Sequence, residues 1–125
     1  MNPFALPVEG VIATNRRLIG TSYNVLDRGK LEGALAHPHD TGYGEMLYPT
    51  VLQRGAALLR GLAAAHAFVD ANKRTAWISC NVYLNYFRSP LQKISDEEAT
   101  EFVVSVVVDH TAVDEIAIWL AQRLS

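Results

Sequence analysis

Apolar residues recur at helical spacing through most of the chain, and the recurrences break where turn formers cluster. The first stretch predicts a helix from about Val8 to Ile19, and a shorter one is expected from about Arg28 to Ala36, with Asp27 as its cap and Pro38 as its stop. From Pro38 to Gly44 the chain is turn-rich, and Tyr43 to Tyr48 reads either as an extended flap or as a covering loop. Val51, Leu52, Leu58, Leu59, Leu62 and Ala63 then share one stripe, on which His66 also falls. After an interruption, Ala76, Cys80, Tyr83, Leu84 and Phe87 resume the period.

Two more helices follow. Ser95-Asp96-Glu97-Glu98 is a capping box with acidic residues at the favourable end of the dipole. The segment behind it, Phe102 to Val108, is β-branched enough to pass for a strand. The box, the length and the stripe Ala99, Phe102, Val103, Val106, Val107 and His110 decide for helix, with His110 as a capping or core residue. A last helix starts near Thr111, with Thr111-x-x-Asp114 as a weaker cap, and buries Val113, Ile116, Ala117, Leu120 and Leu124. The expected fold is all-α, a compact six-helix bundle with a tight loop between its two central helices.

Composition narrows the class. A chain of 125 residues that is 50% hydrophobic suits a single domain, 1–125, with a real core. Repeats and low-complexity segments are absent from the sequence. The one cysteine, Cys80, excludes a disulfide framework and reads as a small core residue. No stretch approaches the ~18 uncharged apolar residues of a membrane span, and the N-terminus lacks the regions of a signal peptide, so the expected location is cytoplasmic. A net charge of -2 offers no general attraction to nucleic acid, so a small phosphate ligand suits the chain better than a duplex.

The interruption carries the chemistry. His66-Ala67-Phe68-Val69-Asp70-Ala71-Asn72-Lys73-Arg74-Thr75-Ala76 gathers an imidazole, a carboxylate, an amide and two cations between two helices. A helix N-terminus presents unpaired N–H groups and the positive end of the macrodipole, which suit a phosphate. Lys73 and Arg74 in a first helical turn oppose that dipole, and a bound anion reverses the sign of the interaction. Asp70 would repel the anion unless a divalent cation such as Mg²⁺ sat between them. His66 supplies a group able to take a hydroxyl proton near neutral pH.

Plainer roles exist for each residue. Asp70 or Asn72 suits a helix N-cap, His66 a core histidine, and Lys73 with Arg74 a solvated face. Their concentration in one short run favours the functional reading. His37, His39 and Asp40 suggest a metal site less than a surface turn, because Pro38 prevents helical spacing. Arg16 and Arg17 read as a solvated face or a contact for an acidic partner.

The run resembles the signature of the Fic/Doc family, His-Pro-Phe-x-(Asp/Glu)-Gly-Asn-(Gly/Lys)-Arg-x-x-Arg, and is most similar to the Doc, or death-on-curing, toxins of toxin-antitoxin systems. His66, Phe68, Asp70, Asn72 and Arg74 match, with Lys73 as in the Doc variant. Leu26 to Pro38 and Tyr48-Pro49-Thr50 are also similar to Doc-type segments. The resemblance implies His66 as catalytic base, Phe68 as anchor of the loop, Asp70 as Mg²⁺ ligand, Asn72 as the ATP-site residue that orients a phosphate or metal-bound oxygen, and Lys73 with Arg74 as the residues that hold the phosphates of ATP. It also implies that the flap docks a target peptide by strand addition.

Two departures bear on the reaction. Trp77 stands where nucleotidyl-transferring members carry a second Arg, and Ala71 and Lys73 replace glycines. Both count against AMP transfer, because one phosphate-binding cation is missing and the closest approach is crowded. Doc-like members with this variant are kinases that present the γ-phosphate of ATP to a threonine of elongation factor Tu, which stops translation. The family's self-inhibitory motif is incomplete, since Thr111 and Glu115 have its spacing but Ile116 ends the match, so control by a separate antitoxin chain is implied. The reading carried forward is an ATP- and Mg²⁺-dependent Ser/Thr protein kinase that blocks translation through elongation factor Tu or another translation factor. The alternatives are a protein adenylyltransferase and a catalytically silent binding module.

Overall fold

A computed structural model describes residues 3–125; Met1 and Asn2, which belong to the N-terminus read above, lie outside the described residues. Among the described residues six α-helices form in chain order: α1 (Val8–Ile19), α2 (Arg28–Ala36), α3 (Val51–Ala65), α4 (Asn72–Tyr86), α5 (Asp96–Val108) and α6 (Val113–Ala121). The only sheet among the described residues is the hairpin β1 (Thr41–Gly42) with β2 (Glu45–Met46). The all-α expectation holds.

Helices α3 and α4 form the central antiparallel pair. Leu58, Leu59, Leu62 and Ala63 of α3 and Ala76, Cys80, Tyr83 and Leu84 of α4 are buried together. At Gly55 an added Cβ would lie 2.9 Å from Leu84 Cδ2, so the missing side chain sets how closely the two helices approach. Phe87, placed on the α4 stripe by its spacing, is instead partly exposed beyond the helix end, where its ring lies 4.8 Å from that of Tyr83.

Side-chain capping explains three helix starts, those of α2, α3 and α5. Thr50 and Gln53 make a complete capping box on α3, with Gln53 N–H donating to Thr50 Oγ1 and Thr50 N–H to Gln53 Oε1. Asp27 caps α2 through Lys30 N–H, as expected. Only half of the Ser95 box forms: Ser95 Oγ accepts from Glu98 N–H, whereas the Glu98 carboxylate turns to Arg123 at 2.9 Å. Helix α6 departs from expectation, because its N-cap is Ala112 with no side-chain bond, and Asp114 accepts from Gln53 instead. His110 is exposed and left-handed (φ 50°), and it ends α5 through its backbone as Thr111 N–H bonds back to Val106 O at 3.1 Å.

The flap is real, but its root lies away from the motif. Tyr43 and Gly44 both have positive φ, as a two-residue type I′ hairpin requires. Its base is fixed by Arg54, which donates to Tyr48 O, Pro49 O and the Tyr83 hydroxyl. At about 1.5 Å per residue, Arg54 and His66 are roughly 18 Å apart along α3. The hairpin therefore roots at the opposite end of the α3–α4 pair from the His66 loop. Asp40 and His37 also belong to this root: Asp40 Oδ2 is 2.7 Å from His37 Nδ1, and Tyr48 OH is 2.9 Å from His37 Nε2.

Candidate active site

The motif loop is framed by two left-handed residues. His66 ends α3 with φ 50° and ψ 42°, which turns the chain out of the helix and leaves the imidazole exposed. The apolar stripe therefore stops before it, and the core-histidine reading is overturned. Ala71, with φ 59° and ψ 29°, begins α4 as its N-cap and gives no side-chain bond to the helix. Neither Asp70 nor Asn72 is the cap, so no capping side chain serves the first N–H groups of α4.

The loop is fastened between these two residues. Val25 and Phe68 form an antiparallel bridge, Leu26 and Asp27 N–H donate to Ala67 O, and Val69 N–H donates to Asn24 O. Phe68 is buried and anchors the loop in the core, the role the resemblance implies and its aromatic bulk suits. Asn72 closes the loop from the other side, its Oδ1 accepting from Phe68 N–H and its Nδ2 donating to Phe68 O, both at 3.0 Å. Its amide thus shapes the loop.

A buried polar network sets the Asp70 backbone. Asn15 Nδ2 donates to Asp70 O at 2.9 Å and to Thr75 Oγ1 at 3.0 Å, and Asn15 Oδ1 accepts from Asn24 Nδ2 at 3.1 Å. Asn24 Nδ2 also donates to Ile12 O. Asn15, Asn24 and Thr75 are essentially inaccessible to solvent, so each bond replaces water that cannot enter. The Asp70 carboxylate itself is exposed, with Oδ1 accepting from Ala71 N–H at 2.7 Å.

Lys73 and Arg74 occupy the first turn of α4, and among the described residues neither has an ion-pair or hydrogen-bond partner. They open onto a cavity of about 270 Å³ between α4 and α5, lined further by Trp77, Ile78, Asp96, Ala99, Thr100 and Val103. Its wall is braced by rings. Trp77 meets Trp119 edge to face at 6.1 Å, Trp119 stacks on Phe102 at 3.6 Å, and the Arg123 guanidinium covers Trp119 at 3.8 Å.

The sequence profile of the Fic/DOC family matches residues 5–84, which include α1 to α3, the motif loop and most of α4. A protein named Toxin Doc, from Mycolicibacterium smegmatis, is 36% identical over 114 residues, covering 90% of this chain and 88% of its own. The chain belongs to the Fic/DOC family.

In this Fic/DOC chain the motif residues divide by task. His66 and Asp70 face solvent from the loop, Lys73 and Arg74 flank it from α4, and Asn72 points inward to hold it. Among the described residues no three His, Cys, Asp or Glu side chains converge to make a protein-only metal cage. One outward carboxylate beside two cations suits Mg²⁺ held jointly with phosphate oxygens, the usual way this ion is bound. Sequence reasoning missed Asn15, Asn24, Thr75, Asp96 and Thr100. Asn15 had a signal: it continues the Val8, Val11, Ile12 stripe, so helical spacing alone puts a polar amide on the buried face.

The histidines at the far end also carry a local effect. His39 Nε2 lies 3.0 Å from Tyr83 OH, which accepts from Arg54 Nε at 2.9 Å. Burial, with the Arg54 charge adding to it, lowers the pKa of His39 from its ordinary 6.5 and favours the neutral ring. Burial also pushes the Cys80 thiol up to about 12. Among the described residues no helix is long and apolar enough to cross a membrane.

Proposed function

We propose that this chain is the toxin of a toxin-antitoxin pair and acts as a Mg²⁺-ATP-dependent kinase of a Ser or Thr hydroxyl on a translation factor, with elongation factor Tu as first candidate. One observation carries the reading: an exposed imidazole, His66, stands on the same short loop as the exposed Asp70 carboxylate, beside the unpartnered cations Lys73 and Arg74. The relative named Toxin Doc supports the toxin role and implies a cognate antitoxin.

In the reaction, the target hydroxyl oxygen bonds to the γ-phosphorus as the bond to the β,γ-bridging oxygen breaks. The hydroxyl proton passes to a ring nitrogen of His66, and ADP leaves. Lys73 and Arg74 hold the phosphate oxygens and offset charge on the group in flight. Asp70 would hold Mg²⁺, which would supply further charge neutralisation when bound. Asn72 and Asn15 keep the loop in the shape that presents His66 and Asp70, and such positioning is most of what phosphoryl transfer asks of a protein.

The test is incubation with candidate translation factors and ATP labelled at the γ- or α-phosphate, comparing the intact chain with His66→Ala. Label from the γ-position is expected on the target, with a loss of about 10²–10⁴ in rate for the variant. Transfer of α-label alone would overturn the kinase reading in favour of AMP transfer. Undiminished toxicity in a folded His66→Ala chain would sink both reactions and leave a binding module.

A further inference from the structure

The flap is tied to the helices through one oxygen. Its first leg leaves the short helical turn His37–His39, and its second leg returns through Tyr48 and Pro49 to the start of α3. His39 Nε2 lies 3.0 Å from the Tyr83 hydroxyl and so fastens the first leg to α4. Arg54 holds the second leg by donating to Tyr48 O and Pro49 O, and its Nε donates to the same hydroxyl at 2.9 Å. Both legs therefore meet at Tyr83, a residue only 1% exposed.

The direction of these bonds depends on one proton. Arg54 can only donate, so the Tyr83 oxygen accepts from it and the phenolic proton is left to point at His39 Nε2. That nitrogen accepts only in the neutral ring. Once protonated, it becomes a second donor to the same oxygen, the phenolic proton loses its acceptor where water barely reaches, and an imidazolium stands beside the Arg54 guanidinium. His37 behaves differently. Its Nδ1 donates to Asp40 Oδ2 in either charge state, and its Nε2 accepts from the Tyr48 hydroxyl when neutral and donates to that oxygen when charged.

We infer that the flap is a proton-gated arm: it is clamped to α3 and α4 while His39 is neutral, and protonation of His39 releases its first leg from Tyr83 and loosens the hairpin. Burial and the Arg54 charge both favour the neutral ring in the clamped arm, and release into water restores its ordinary basicity. The arm is thus closed above a pH of about 6.5 and opens increasingly below it. The titratable groups bonded in this cluster are Arg54 of α3, Tyr83 of α4, and His37, Asp40 and Tyr48 of the flap's own root. Helix α2 also packs on the turn, but among the described residues its Arg28, Lys30 and Glu32 make no ion pair with the cluster, and neither does Glu45 of the hairpin. Tyr43, Met46 and Leu47 are exposed on the arm, so the proton decides how firmly three apolar side chains are presented. The device lies at the far end of the central pair from His66 and stands whatever group the motif transfers.

The test is amide hydrogen exchange of the full chain at pH 7.5 and 5.5, corrected for the intrinsic effect of pH. It is read at Leu47, whose N–H donates to Asp40 O at 3.0 Å and closes the hairpin. A series in low urea separates opening of the arm, which exposes little surface and hardly responds, from global unfolding, which responds steeply. Protection of Leu47 is expected to fall about threefold to tenfold at the lower pH through the urea-insensitive route, with about tenfold as the ceiling for one ordinary histidine over that interval. His39→Gln offers Tyr83 a carbonyl acceptor without a titrating ring and should hold within about twofold, whereas His37→Gln should keep the parent's response. Tyr83→Phe deletes the meeting point, so Leu47 should be weakly protected at both pH values. No fall in the parent, an equal fall in His39→Gln or Tyr83→Phe, a response that vanishes with His37 rather than His39, or exchange of Leu47 only through global unfolding overturns the inference.

Discussion

Asn15 holds Asp70 through the backbone: its Nδ2 donates to the Asp70 carbonyl at 2.9 Å from a position that solvent does not reach. The same nitrogen bonds Thr75 Oγ1, so one side chain of α1 ties the motif loop to the first turn of α4. Replacing it by Ala removes a bond from the Asp70 carbonyl, the Thr75 hydroxyl and the Asn24 amide, the last of which keeps its bond to Ile12 O. Asn15→Ala is expected to cost about 2–4 kcal/mol of stability, measured by urea unfolding. Where the variant is folded, its rate of γ-phosphate transfer should fall more than its ATP affinity, because the loop rather than the phosphate contacts is disturbed.

Ala71 sits at φ 59°, in a region that L-residues with a Cβ occupy at a cost. The conformation is imposed by the turn into α4. Ala71→Gly relieves it, and the gain outweighs the extra entropy of glycine in the unfolded chain. The expected outcome is a stabilisation of about 0.5–1 kcal/mol, seen as a higher denaturation midpoint with an unchanged slope.

His39 makes stability depend on pH. Its folded pKa is lowered, so the unfolded chain binds the proton more readily than the folded one. Its contribution is full above the unfolded value of about 6.5 and declines as pH falls below it, levelling off below the folded pKa. Unfolding free energies at pH 7.5 and 5.5, for the parent and for His39→Gln, check this. The parent should lose more stability than the variant across that interval.

Cys80 is buried within α4, and its thiol is pushed up to about 12. In the native chain it is expected to resist a thiol reagent at pH 8, reacting only as the protein unfolds. Rapid labelling of native protein would show that α4 opens locally.

Much of the fold was legible in apolar spacing. The α1 and α2 limits and the helical state of the β-branched segment Phe102 to Val108 follow from periodicity and capping, whereas Tyr43 and Gly44, read as part of an extended segment, form the hairpin's turn. The errors have one source, which is competition from distant residues or from backbone conformation. Glu98 leaves its box for Arg123, Asp114 answers Gln53 rather than its own helix, and His66 departs from its stripe because the chain turns left-handed there. The motif showed which residues form the loop; what holds the loop was hidden, because Asn15 and Asn24 act across long stretches of chain. The α4–α5 cavity was hidden likewise, since Asp96 and Thr100 reach it only through packing.

The bridge between Val25 and Phe68, with the Asn15 bond to Asp70, has a consequence for the newly made chain. Three separated pieces, α1, residues 24–27 and the start of α4, must meet before His66 and Asp70 take their places. Site assembly and core formation are then one cooperative event. A nascent chain still lacking α4 has the imidazole but not the loop geometry, which forms only when the start of α4 can pack.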